Sequence, residues 1–196
     1  MEGGCLRRLQ TLELQGVFRT SEQIEIFARA LSRGHGCPEL ETLSLPELTG
    51  NLAFGAVFAP AFRSPRGLPL LKRLDLHDSQ LGDAALLLEA LRDRPHARRD
   101  LEELELSCCP VIGLDGLAGA MQPGGPLAGL KHLVMPGANV SDSAERQEWA
   151  MGLVTALASG AGRQLETIKW VSMATVEPIN LFLRALAMEG ACPRLR

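Results

Sequence analysis

The sequence has no tyrosine, two tryptophans and six phenylalanines, so aromatic residues fill only 4% of its 196 positions. The stacking platforms on which single-stranded nucleic acids bind are therefore missing. Nor is there a basic excess: 20 Lys and Arg stand against 23 Asp and Glu, a net charge of −3. Without a positive field, nothing draws in DNA, RNA or an anionic membrane surface. No apolar run approaches the roughly 18–20 residues of a membrane helix. The first residues, Met1-Glu2-Gly3-Gly4-Cys5-Leu6-Arg7-Arg8, hold no apolar signal-peptide core, and Glu2 breaks the N-myristoylation pattern. Cysteine comes in an odd number, five, with no zinc-type spacing. That usage fits a reducing, cytoplasmic compartment.

What the sequence does have is leucine, 35 residues of it, far above ordinary usage. The pattern Leu-x-x-Leu-x-Leu occurs at Leu9-Leu12-Leu14, Leu40-Leu43-Leu45, Leu71-Leu74-Leu76 and Leu101-Leu104-Leu106. Variants follow at Leu130-Leu133-Met135 and Leu165-Ile168-Trp170, and a seventh copy begins at Leu195. The starts lie 31, 31, 30, 29, 35 and 30 residues apart. A leucine-rich chain produces stray triplets by chance, but not six in near-constant register.

Each x-Leu-x-Leu-x stretch alternates with period two and reads as a short, half-buried strand. A stretch with helical spacing follows each one. In the first unit Thr20 and Gln23 are placed like a capping box, Ile24, Phe27 and Leu31 share a face, and Gly34 marks a stop. Asp83 can cap a third-unit helix through Leu91, and Leu114, Leu117 and Met121 make the fourth stripe. Ser141 or Ser143 opens a fifth helix through Trp149, Leu153 and Leu157, and Glu177-Pro178 opens a sixth through Ile179, Phe182 and Leu186. In the second unit Phe54, Val57, Phe58 and Phe62 share a face, but Gly55 and Pro60 fall inside it. A short or broken helix is expected there, because proline removes a backbone donor.

One such unit cannot bury both its strand face and its helix face, whereas stacked units can. Residues 1–196 therefore read as a single domain, a right-handed α/β solenoid of about six repeats plus the start of a seventh. Strands are expected near 11–14, 42–45, 73–76, 103–106, 132–135 and 167–170.

The segment from Leu71 to Leu91, Leu-Lys-Arg-Leu-Asp-Leu-His-Asp-Ser-Gln-Leu-Gly-Asp and onward, resembles a leucine-rich repeat of the ribonuclease-inhibitor-like type. Leu101 to Leu117, with Cys108-Cys109-Pro110 at its turn, is similar to the cysteine-containing repeat of F-box-type leucine-rich proteins. The resemblance implies a horseshoe with a parallel concave sheet, convex helices and protein binding on the concave face. One departure stands out. The family often places Asn or Cys at the ninth position of each unit, where it bonds neighbouring turn backbone. Here that position holds Val17, Leu48, Ser79, Cys109, Ala138 and Met173, so only Ser79 and Cys109 can supply a polar group.

The strand alternation also says which residues face a partner. The candidates are Glu13, Arg73, Asp75, His77, Asp78, Glu103, Glu105 and Lys169. With Glu47, this face carries six carboxylates against two formal cations, which suits a basic protein partner and equally a plain solvated sheet face. Carboxylates on neighbouring strands lie roughly 4.8 Å apart per strand. Asp75 with Glu105 could suggest acid–base chemistry, but an open sheet has no pocket that excludes water. His77, Cys108 and His132 sit at different heights on successive units, which does not make a metal site. Cys109 reads as a buried small hydrophobe with Cys108 turned outward. Gly124-Gly125 has no following Lys-Ser or Lys-Thr and precedes a strand, so it is not a phosphate loop.

The sequence thus points to a non-catalytic protein-binding scaffold with no cofactor and no metal. The alternatives are a ligand-sensing or substrate-recruiting segment of a larger receptor or ubiquitin-ligase adaptor, or a GTPase-regulating repeat protein. Ends without capping elements, around Leu9, Leu12 and Leu14 and around Ile168, Trp170, Ile179 and Phe182, imply either a longer array or self-association through those ends.

Overall fold

The computed structural model describes residues 7–32, 37–48, 54–64, 67–81, 84–92, 101–109, 115–135 and 152–170, together with Asn180, Leu183, Ala187 and 193–195. Six strands alternate with helices: β1 (Thr11–Glu13), α1 (Ser21–Ser32), β2 (Thr42–Ser44), α2 (Phe54–Arg63), β3 (Arg73–Asp75), α3 (Ala84–Arg92), β4 (Glu103–Glu105), α4 (Asp115–Ala120), β5 (His132–Met135) and β6 (Thr167–Trp170). A further helical segment covers 152–158. The strands form one parallel sheet in sequence order, and the central residues Leu12, Leu43, Leu74, Leu104, Leu133 and Ile168 stand side by side. This is an α/β solenoid, with every strand where the leucine triplets place it.

The same backbone bonds recur from unit to unit. Leu14, Leu45, Leu76 and Leu106 donate their N–H to Ser44, Asp75, Glu105 and Val134 respectively, at 2.8–3.0 Å. The turn after each of the first four strands also repeats. Gly16, Glu47, Asp78 and Cys108, all at the eighth position of their units, have φ between 54° and 59°. Only Gly16 adopts this left-handed conformation without steric cost; each of the others stores on the order of 1 kcal/mol.

Leu43, Leu74, Leu104 and Leu133 are fully buried, and burying one such side chain is worth roughly 1.5–3 kcal/mol. In the first unit Leu9, Leu12 and Leu14 are only partly buried against the same core. In the sixth, Ile168 is partly buried, while Ile179 and Phe182 lie outside the described residues. The helix layer begins as the sequence specifies. Thr20 Oγ1 accepts the Gln23 N–H at 3.3 Å, and Gln23 Oε1 accepts the N–H groups of Thr20 and Arg19 at 3.3 and 2.7 Å. That reciprocal capping box orients α1 so that Ile24, Ala28 and Leu31 are buried.

The second helix corrects the sequence expectation. It is neither short nor broken, running ten residues with Pro60 inside it. Pro60 and Ala56, whose carbonyl loses its partner, are both exposed, so water can satisfy the freed group. The opposite face holds Phe54, Phe58 and Phe62, all buried. Phe18, Phe27, Phe58 and Phe54 make successive ring contacts at 5.2, 6.2 and 4.2 Å between centroids, and Phe62 joins Phe58 at 6.4 Å. Packing of this order outweighs one missing backbone bond. Gly55 closes the seam on the α3 side, because a Cβ there would come within 2.1 Å of the Leu86 and Leu87 backbone.

The next seam is different. Between α3 and α4 lies a cavity of about 390 Å³ lined by Ala85, Leu88, Glu89, Arg92, Gly116 and Gly119, among others. The small residues of α4 leave this space open. Among the described residues, no helix is long and apolar enough to cross a membrane.

Candidate functional site

The strand face carries the residues that the alternation exposes. Its centre is β3 and β4, which bring together Arg73, Asp75, His77, Asp78, Glu103 and Glu105 of the eight candidates. Glu13 on β1 lies two strands to one side, and Lys169 on β6 two strands to the other, about 10 Å away in each direction. These two are not part of the central group.

Asp75 is the best-connected of the six. It is only 7% exposed. Its Oδ2 accepts the Ser44 hydroxyl from β2 at 2.9 Å. Its Oδ1 faces His77 Nδ1 at 2.8 Å and accepts the His77 N–H at 3.2 Å. Burial alone would raise the carboxyl's pKa, but the hydrogen bonds from the His77 ring, the His77 amide and Ser44 bring it below the ordinary carboxylate value. Asp75 therefore serves the turn and the seam to the second unit, while its neighbours carry the open surface. Glu105 repeats half of this device, its Oε1 accepting the Ser107 N–H at 3.1 Å.

Arg73 and Glu103 neutralise each other through a contact of 2.9 Å between half-exposed side chains. Asp78 is exposed at the left-handed turn position, and Glu47 occupies the equivalent place one unit earlier, held by Gln15 Nε2 at 2.9 Å. Glu47, Asp78 and Glu105 are left as the carboxylates of an open, acidic end to the central strands. Farther along, His132 Nδ1 meets Thr167 Oγ1 at 2.7 Å.

The ninth position behaves as its residue types dictate. Ser79 Oγ accepts the Leu48 N–H at 3.0 Å and donates toward the Leu45 carbonyl at 3.2 Å. Cys109 Sγ reaches the Leu76 carbonyl, the equivalent atom one unit on, at 3.0 Å. Val17 and Leu48 have no polar atom to offer, and Ala138 and Met173 lie outside the described residues. Burial pushes the Cys109 thiol up to about 12, so it is a buried hydrogen-bonding group and not a nucleophile. Cys108 is exposed; desolvation first, then the Asp78 and Glu105 carboxylates, raise its thiol too. Among the described residues no group of three or more metal-type donors converges.

One feature escaped the sequence reading. From the second unit to the sixth, the second position alternates in charge: Glu41, Lys72, Glu102, Lys131, Glu166. Lys72 Nζ meets Glu41 Oε2 at 2.6 Å and Lys131 Nζ meets Glu102 Oε2 at 2.8 Å. The Glu102 hydrogen bond, then its charge, raises the Lys131 pKa. These pairs lace adjacent units just before each strand. The alternation is visible once the repeats are aligned, so the signal was there to find.

No protein-family model matches the chain, and no curated protein is similar to it in sequence. Among solved structures, the fold is similar to that of the tropomodulin C-terminal domain from Caenorhabditis elegans, with a TM-score of 0.51 and 11% sequence identity. The match covers 86% of this chain and 92% of that one. At this identity the likeness is one of fold alone, consistent with the α/β solenoid described above.

Proposed function

We propose that this chain is a non-catalytic protein-binding domain, a leucine-rich-repeat scaffold of the ribonuclease-inhibitor-like type that holds a basic protein segment on its strand face. The observation that carries the reading is the uneven use of charge. Just before the strands, and at Arg73 with Glu103, cations and carboxylates pair within the molecule. At the far ends of β2, β3 and β4, Glu47, Asp78 and Glu105 have no such cation among the described ion pairs. Three carboxylates on successive units make a local negative field that attracts a cationic segment and sets its register. An open strand face supports binding of an extended protein segment. The free thiols at Cys37, Cys108 and Cys109 fit a reducing, cytoplasmic setting.

Fluorescence anisotropy with a labelled octalysine peptide tests this reading. Wild-type protein is expected to bind, more weakly as salt rises. Asp78→Lys with Glu105→Lys is expected to remove most of that binding while circular dichroism stays unchanged. Asp75 is left in place in this pair, because a lysine at that buried site would disturb the fold. Undiminished binding by the double variant contradicts the proposal.

A further inference from the structure

We infer that Asp75 locks His77 as a hydrogen-bond acceptor on the strand face, presenting its Nε2 to a lysine or arginine side chain of the partner; this rests on the reading of that face as a site for a basic segment. His77 Nδ1 and Asp75 Oδ1 are 2.8 Å apart, so one hydrogen lies between them. Asp75 also holds the Ser44 hydroxyl and the His77 amide. A carboxylate gathering three donors is stabilised in its ionised form, and an ionised carboxylate only accepts. The hydrogen between the two atoms must therefore belong to the ring. A neutral imidazole carries one N–H, so with Nδ1 protonated the lone pair is on Nε2.

The other ring nitrogen is free to use it. Among the described residues Nε2 has no hydrogen-bond partner, and the His77 side chain is 35% exposed. The charges around it select the ligand. On the β2 side, Glu47 is tied by its N–H to the His77 carbonyl. On its own unit Asp78 follows directly, and Arg73 is occupied by Glu103. On the β4 side, Ser107 accepts the Asp78 N–H through its carbonyl, with Glu105 two residues earlier and Cys108, a neutral thiol, one later. A neutral acceptor next to Asp78 in the chain, with Glu105 on the neighbouring strand, suits a cationic N–H donor, which it bonds while the carboxylates attract the charge. A second proton on the ring reverses both effects. Nε2 becomes a donor, and the ring adds a positive charge where the partner's cation would sit.

Two-bond proton–nitrogen NMR spectra of the labelled wild-type protein read the ring state without any variant. The expected result is the Nδ1–H tautomer, and an Nε2–H tautomer overturns the inference. Octalysine titration should then move the His77 Nε2 signal. His77→Ala, with its fold checked by circular dichroism, should bind octalysine about tenfold more weakly, the scale of one hydrogen bond to a charged group. Equal binding by wild type and His77→Ala overturns the acceptor role and leaves the strand-face reading standing. Failure of the wild type to bind octalysine at all overturns both.

Discussion

The two neighbouring seams of the helix layer are built on opposite principles. Between α2 and α3, Gly55 lets the helices approach until no Cβ fits, while on the other side Phe58 of α2 packs against Phe27 of α1. Between α3 and α4, Gly119 borders a cavity of about 390 Å³, and a Cβ added there would meet nothing within 4 Å. The same residue type thus marks contact in one seam and vacancy in the next. Yet the strands beneath both seams keep one register. The period of the solenoid is set by the leucine sheet and the recurring turn, and the helices adapt to it.

That comparison can be broken or sharpened by substitution, followed by chemical denaturation. Phe58→Ala, at the centre of the ring cluster, is expected to cost about 3–5 kcal/mol. A loss under 1 kcal/mol would mean that the rings are not what holds α2 in place despite Pro60. Gly55→Ala should cost about 3 kcal/mol, because the new methyl meets backbone that cannot rotate away. Ser79→Ala leaves the buried Leu48 N–H without its partner, and about 1–2 kcal/mol should be lost. Gly119→Ala has the opposite sign. In open space inside a helix it should stabilise by about 0.5–1 kcal/mol. If Gly55→Ala and Gly119→Ala shifted stability alike, the contrast between the seams would be void.

The strand cores were legible because two independent signals coincided at each, the alternation within a unit and the spacing between units. The capping box at Thr20 and Gln23 was legible because it is local. Locality also explains the departure at the second helix: Pro60 weakens its own backbone, but Phe18 and Phe27 of the preceding unit anchor the helix and Ala56 is exposed to water. Asp75 shows the limit at the site. Alternation assigns it to the open face, but its burial depends on Ser44 and His77 folding over it, and no spacing rule conveys that. The charge ladder from Glu41 to Lys131 required comparing one position across all units.

In the proposed function, binding belongs to the strand face and not to net charge. Two double variants with the same change in charge separate these. Asp78→Lys with Glu105→Lys alters the strand face, and Glu25→Lys with Glu89→Lys alters exposed positions on α1 and α3. Octalysine affinity measured side by side at low salt is expected to collapse in the first and to stay within about threefold of wild type in the second. Equal losses in both variants, or a larger loss in the helix variant, would contradict the account.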